Sequence, residues 1–216
     1  MNRNETTLVV GGTGKTGRRV VERLQRLDLP FRVGSRSAQP AFDWENRQTW
    51  PRSLDGVTPA YVTYTPDLCV PGAVETVRSF FAQAVDAGLQ KVVFLSGRGE
   101  IEAERAEQAL QACDLDWTIL RCSFFSQNFS ENFFLDPILS GEVALPVDSV
   151  AEPFVDVDDI ADAAIAALTQ PGHSRQLYEL TGPRALTFAD AIGEIAGATG
   201  RDIRYFPITP QEYRAA

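Results

Sequence analysis

Three glycines recur at intervals of three in Gly11-Gly12-Thr13-Gly14-Lys15-Thr16-Gly17. Glycine at such positions permits a sharp turn, close approach of backbone N–H groups to a pyrophosphate, and tight packing of the following helix on a sheet. Thr13, Lys15 and Thr16 add hydroxyls and a cation to the same turn. The chemistry this suits is the holding of a dinucleotide. A second cluster, Gly34-Ser35-Arg36-Ser37, falls where such a site reads the adenosine ribose. An acidic residue there would bind the 2′-hydroxyl of NAD, and the cluster has none. Gly34 is expected to leave room for the ribose, while Arg36 and the hydroxyls of Ser35 and Ser37 suit a 2′-phosphate. The expected cofactor is therefore NADP(H) in preference to NAD(H).

The run Gly14-Lys15-Thr16 also invites a triphosphate-binding reading, which fails on spacing. The general phosphate-loop motif needs glycine where Val9 stands, and the partitioning-ATPase variant needs lysine where Val10 stands. Val92-Val93-Phe94-Leu95-Ser96 also lacks a terminal aspartate for magnesium.

The elements that must position these residues alternate. Thr6–Val10 reads as a strand, and Arg18–Leu27 as a helix with apolar residues at Val20, Val21, Leu24 and Leu27. Phe31–Val33 is a second strand and Ala41–Asp43 a very short third. Strands at Tyr61–Tyr64, Lys91–Leu95 and Trp117–Leu120 are separated by helices over Val74–Ala87 and about Glu100–Ala112. Strands alternating with helices imply a doubly wound, parallel α/β sheet of Rossmann type. The second half is less regular: phenylalanines crowd 124–134, a helix is expected over Asp158–Leu168, a strand over Leu177–Leu180 and a helix over Phe188–Ala198 stopped by Gly200. Residues 1–216 are expected to form one NAD(P)-binding domain, with 123–153 and 182–216 making a small substrate lobe.

Composition narrows the partners. The net charge of −9 repels nucleic acid and anionic lipid, and the basic residues form no run. Three cysteines, Cys69, Cys113 and Cys122, lack metal-ligand spacing and suit a reducing cytoplasm. No stretch approaches the roughly 20 apolar residues of a membrane helix. A small-molecule substrate and a monomer or homodimer are the expectation. No metal is expected, since Asp156, Asp158 and Asp159 at a helix start are explained by capping and the helix dipole.

With these residues in place, the chain resembles the NmrA-like branch of the atypical short-chain dehydrogenases from about Thr7 to Pro207. The likeness rests on the Gly11–Gly17 turn, Ser35-Arg36-Ser37, Phe42-Asp43-Trp44 with Thr49-Trp50, and Thr118-Ile119-Leu120-Arg121 leading to Phe125 and Asn128. The run Pro153–Ala161 adds to it, and Phe42-Asp43-Trp44 is most similar to festuclavine and agroclavine dehydrogenases. By position the resemblance implies that Asp43 meets the adenine amino group, that Thr65 and Pro66 lie along the cofactor, and that Ser96 falls beside the nicotinamide.

The catalytic pair of ordinary short-chain dehydrogenases, a tyrosine four residues before a lysine, is missing. The only lysines are Lys15 and Lys91, preceded at that distance by Gly11 and Ala87. A hydride acceptor that needs no strong general acid, such as a quinone or a cyclic imine or iminium, escapes the problem. Phe124, Phe125 and Phe129, with Asn128 as a polar handle, are the expected substrate contacts; Ser96 and Asn128 are the catalytic candidates, with Arg98 and Glu100 behind them. The competing reading is a non-catalytic NADP(H)-binding redox sensor. The chain ends in Thr209-Pro210-Gln211-Glu212, the opening of a helix with Thr209 as cap, so a truncated product or an open site is expected. His173 is expected in a surface loop.

Overall fold

The computed structural model describes residues 5–131 and 133–215. Two compact units divide them. The first comprises the chain up to Cys122 together with Val157–Leu180; the second comprises Ser123–Asp156 and the chain from Thr181 on.

The first unit begins β1 (Thr6–Val10), α1 (Lys15–Arg26), β2 (Phe31–Gly34), α2 (Trp50–Leu54) and β3 (Val57–Val62). It continues α3 (Ala73–Asp86), β4 (Lys91–Gly97), α4 (Ile101–Gln111) and β5 (Asp116–Cys122). The chain then forms α5 (Asn128–Glu131), α6 (Leu135–Ser140), β6 (Glu142–Leu145) and β7 (Ala151–Glu152) in the second unit. It returns to the first as α7 (Val157–Thr169) and β8 (Gln176–Leu180), and ends in the second with β9 (Leu186–Thr187), α8 (Phe188–Thr199), β10 (Arg204–Pro207) and α9 (Pro210–Ala215).

The first unit is a Rossmann fold. Its six strands run parallel in the order β2-β1-β3-β4-β5-β8. Leu8, Val9 and Val10 of β1, Val92, Val93 and Phe94 of β4, and Ile119 and Leu120 of β5 have no exposed surface. Consecutive buried residues of this kind are what a parallel sheet covered on both faces requires. Chain order reverses between β1 and β3, which opens the crevice where such sheets bind ligands. Helices α1 and α7 are joined by charge: Arg19 Nε and Arg23 Nη2 each lie 3.0 Å from the Asp158 carboxylate, and Arg23 Nε is 2.5 Å from Asp162. Asp158 thus binds two arginines of a neighbouring helix, a role beyond the capping expected of it.

The third strand expected at Ala41–Asp43 does not form; only an isolated bridge links Asp43 and Asn46. The main-chain groups that a sheet neighbour would need are already engaged. The Phe42 N–H donates to the Ser35 carbonyl at 2.9 Å, the Asp43 N–H to the Thr49 hydroxyl at 3.0 Å, and Trp50 Nε1 donates to the Asp43 carbonyl at 2.8 Å. Burial of Phe42, Trp44 and Trp50 around Phe80, with ring centroids 5.0 to 6.3 Å apart, holds this loop instead. Helix α1 also starts at Lys15, ahead of the apolar periodicity, because Thr16 and Gly17 are buried without contributing apolar side chains.

The second unit is built around phenylalanines. Phe129, Phe134 and Phe188 are buried with Ile138, Val143, Leu145, Ile192 and Ile203, and the half-buried Phe124 and Phe154 pack against them. Two small sheets, parallel β6 with β10 and antiparallel β7 with β9, complete it. Helix α8 opens with a reciprocal capping box between Thr187 and Asp190 and stops at Gly200, whose φ is +65°. Thr209 and Glu212 cap α9 in the same reciprocal way, with the Glu212 N–H donating to the Thr209 hydroxyl at 3.2 Å.

Candidate cofactor site

The glycine turn follows β1 at the crevice. Gly11 has φ of +74°, and the Gly11 and Gly12 N–H groups both donate to the Gly34 carbonyl, at 2.9 and 3.3 Å. The Gly11 carbonyl accepts from the Gly14 N–H at 2.8 Å, and Arg18 N–H to the Gly14 carbonyl, 3.0 Å, is a first bond of α1. A Cβ on Gly17 would lie 2.2 Å from the Gly11 oxygen, and one on Gly11 would lie 2.4 Å from Thr63 Cγ2. Glycine is therefore required for helix, turn and sheet to approach this closely.

What the turn presents is a helix end without a side-chain cap among the described residues. Gly14 supplies no side-chain cap to α1, no acidic residue stands in the first turn, and Thr13 and Gly14 are exposed. The first-turn N–H groups and the positive end of the dipole of this twelve-residue helix fit a pyrophosphate.

Beyond β2, the Ser35 and Ser37 hydroxyl oxygens lie 3.3 Å apart, and Arg36 is exposed with no hydrogen bond or ion pair among the described residues. Gly34 departs from the expectation that it leaves room for a ribose. A Cβ there would meet the Val10 Cα at 3.1 Å and the Val9 oxygen at 3.2 Å, so its missing side chain serves the packing of β2 on β1. Asp43 is half-buried, and one of its carboxylate oxygens accepts from the Glu45 N–H at 3.1 Å. Thr65 and Pro66 are exposed in the loop after β3. Because β1, β3 and β4 are adjacent and parallel, the Gly11–Gly17 turn, the Thr65–Pro66 loop and Ser96 all fall at one carboxyl edge of the sheet. Phe124, Phe125, Asn128 and Phe129 belong to the second unit, where Phe129 is a core residue and the other three are half-buried.

Ser96 is 4% exposed and its hydroxyl donates to Glu107 Oε1 at 2.5 Å. Glu107, on α4, is itself 2% exposed. Arg121 of β5 grips the same carboxylate with a fork, Nε to Oε1 at 3.0 Å and Nη2 to Oε2 at 2.5 Å, and its remaining nitrogen reaches Glu179 of β8 at 3.2 Å. Arg98, one of the weaker sequence candidates, closes the chain of charges on Glu179 at 3.6 Å. The hydrogen bond to Glu107 raises the pKa of the Arg121 guanidinium.

Glu100 lies apart from this network. Its carboxyl packs against Gly97, where a Cβ would meet Oε2 at 2.0 Å, and it shares a cluster with Asp67 and Cys69 whose polar atoms lie within 4.8 Å of one another. Burial, then the charge of Asp67, raises the Glu100 pKa, and burial with the charges of Glu100 and Asp67 pushes the Cys69 thiol up to about 12.

Sequence reading missed Glu107 and its partner Arg121 as parts of the site, although a signal exists. Glu107 stands on the apolar stripe of α4 with Ala103, Ala106 and Leu110, and Arg121 interrupts the apolar run of β5. A charge on each of two facing apolar surfaces marks a buried pair. Asp67 carries no such signal, since only the fold brings its loop to Glu100.

No family model matches the sequence. Full-length comparison does find relatives. The chain is 32% identical to an NAD(P)H azoreductase of Xenophilus azovorans, covering 97% of this chain and 79% of that protein, and 31% identical to an agroclavine dehydrogenase of Claviceps fusiformis with the same coverage. It is also 32% identical to the prestalk A differentiation protein A of Dictyostelium discoideum, covering 96% of this chain and 74% of that one. Among solved structures, the NADPH-dependent quinone oxidoreductase QOR2 of Escherichia coli, complexed with NADPH, superposes with a TM-score of 0.80 at 18% identity over 97% of this chain and 81% of that one. The triphenylmethane reductase of a Citrobacter species, complexed with NADP(H), gives 0.75 at 18% identity, with 96% and 80% covered. The glycine turn at the crevice, the Rossmann order of the strands and these relatives together place the chain in the NmrA-like family of NAD(P)-binding atypical short-chain dehydrogenases/reductases.

Proposed function

We propose that the protein is an NADP(H)-dependent reductase of a small, flat electrophile such as a quinone or a cyclic imine or iminium. The observation that carries this reading is the end of α1 behind the Gly11–Gly17 turn, which has no side-chain cap and no acidic residue in its first turn, with the exposed Arg36 and its two serines at the neighbouring strand end. In it, backbone N–H groups of the turn and Lys15 hold the pyrophosphate, and Ser35, Arg36 and Ser37 hold the 2′-phosphate, which sets NADP(H) above NAD(H). Asp43, Thr65 and Pro66 flank the adenosine and the middle of the dinucleotide. When bound, NADPH supplies a hydride. Phe124, Phe125 and Phe129 orient the flat face of the acceptor and Asn128 takes a polar substituent, so that rate comes mainly from positioning. The relatives named as an azoreductase and an agroclavine dehydrogenase, and the structural neighbour named as an NADPH-dependent quinone oxidoreductase, support an acceptor of this kind.

The test is NADPH oxidation by the purified protein against a panel of quinones, azo dyes and cyclic imines. Consumption of NADPH with at least one of them is expected. Binding of NADPH with no oxidation by any would replace the reductase with the second reading, a redox sensor. That reading is favoured by the missing Tyr/Lys pair and by a relative that bears the name of a differentiation protein. A sensor would bind NADP and NADPH with different affinities and turn over neither.

A further inference from the structure

The hydrogen bond between Ser96 and Glu107 has a direction. A carboxylate gripped by a guanidinium fork has only acceptors to offer, so the hydrogen in the 2.5 Å contact belongs to the serine. Glu107 Oε1 accepts from both Ser96 and Arg121, and Oε2 accepts from Arg121. Neither Arg121 nor Glu107 is free to swing away, because Glu107 is 2% exposed and Arg121 is tied to Glu179 as well. Ser96 therefore has no hydrogen left for any other partner. Its remaining capacity is two lone pairs, and no donor fills them among the described residues. Toward any group brought to the carboxyl end of β4, this hydroxyl can act only as an acceptor.

We infer that Glu107, clamped by Arg121, is a positioning residue that fixes Ser96 as a hydrogen-bond acceptor for an N–H group at the carboxyl end of β4. Resting on the cofactor reading above, the N–H group is that of the nicotinamide carboxamide, the one amide donor at the reactive end of the dinucleotide. The arrangement excludes Ser96 as a proton donor to a substrate oxygen. It assigns the serine to holding the cofactor ring and not to the acid-base chemistry for which a serine in this place would otherwise be considered.

The experiment compares equilibrium binding of NADPH with binding of its acetylpyridine analogue, in which a methyl group replaces the amide nitrogen. Wild-type protein is expected to prefer NADPH by about fivefold, the worth of one neutral hydrogen bond. Ser96→Ala is expected to bring the ratio to about one, and Glu107→Gln to lower it toward the same value. The double variant is expected to match Ser96→Ala, because Glu107 acts through the serine and the two losses do not add. Binding of adenosine 2′,5′-bisphosphate, which probes only the adenine end, is expected to stay unchanged throughout. Should Glu107→Gln fail to fold, Arg121→Lys, which keeps a cation but removes the fork, reads the same clamp and is expected to lower the ratio. A ratio unaltered by Ser96→Ala, or by the clamp variants while Ser96→Ala abolishes it, overturns the inference and leaves Glu107 a purely structural ion pair. Wild-type protein that binds both dinucleotides equally overturns this inference alone, whereas wild-type protein that binds neither overturns the cofactor reading with it.

Discussion

Replacing Gly17 with alanine sets a methyl group 2.2 Å from the Gly11 oxygen, 2.7 Å from the Gly11 carbonyl carbon and 2.9 Å from the Gly12 Cα. All three are backbone atoms, so no side chain can rotate out of the way. The Gly11 oxygen cannot retreat freely either, since it accepts the Gly14 N–H at 2.8 Å and the Gly11 N–H is tied to Gly34 at 2.9 Å. Restoring ordinary contact requires the start of α1 to separate from the turn by about 1 Å. Overpacking of this kind costs about 1–3 kcal/mol, or a fall in melting temperature of roughly 5 °C for a chain of this size. The same displacement pulls the helix N–H groups from a bound pyrophosphate, and loss of one such bond to a charged group, about 1.5–3 kcal/mol, weakens binding by roughly 10- to 100-fold. Fluorescence titration with NADPH beside thermal melts reads both effects. Gly197→Ala is the control: it is an exposed position of α8, a Cβ there meets nothing within 4 Å, and the change is expected to stabilise by up to about 1 kcal/mol. If Gly17→Ala bound NADPH within about a factor of two of wild type at an unchanged melting temperature, the close approach at the turn would not be what holds the cofactor.

Three other perturbations probe different parts of the molecule. Arg36→Ala is expected to weaken NADPH by about 10- to 100-fold and leave NADH nearly untouched, the worth of charge-assisted bonds to one phosphate, measured as the ratio of the two dissociation constants. Arg121→Leu strands the Glu107 carboxylate, whose side chain is 3% exposed, and is expected to cost about 3–5 kcal/mol and roughly 10 °C in melting temperature; Glu107→Leu added to it should restore much of the loss. Cys69, although exposed, is expected to react slowly with iodoacetamide at neutral pH. Its thiol is pushed up to about 12, so the reactive thiolate accumulates only as pH rises toward that value. Glu100→Gln and Asp67→Asn remove the negative charges and should shift the pH–rate curve to lower pH; identical curves for wild type and both variants would refute the electrostatic account.

The sequence by itself determined the alternation of strands and helices in the first unit and the glycine turn at its crevice. Those signals are local: Leu8, Val9 and Val10 make an unbroken apolar run because both faces of a parallel sheet are covered, and Gly14 and Gly17 answer to Gly11 and Gly12 within the same turn, whereas Gly11 itself answers to Thr63 after β3. Where local signal was thin, tertiary structure decided. Phe42 looked like part of a strand but is drawn into a loop, because Trp44, Trp50 and Phe80 offer its ring a better-buried position than pairing offers its backbone. Strands β6, β7, β9 and β10 are two to four residues long, too short to display a period, and exist only because a partner from a distant part of the chain completes each pair. The network beneath Ser96 is the clearest case. Serine, glutamate and arginine at 96, 107 and 121 carry no shared spacing, and β4, α4 and β5 must pack before one buried carboxylate can accept from both of the others. Sequence fixes which groups are available, while a hydrogen bond's direction depends on what else its acceptor already holds, and that is a property of the packed interior alone.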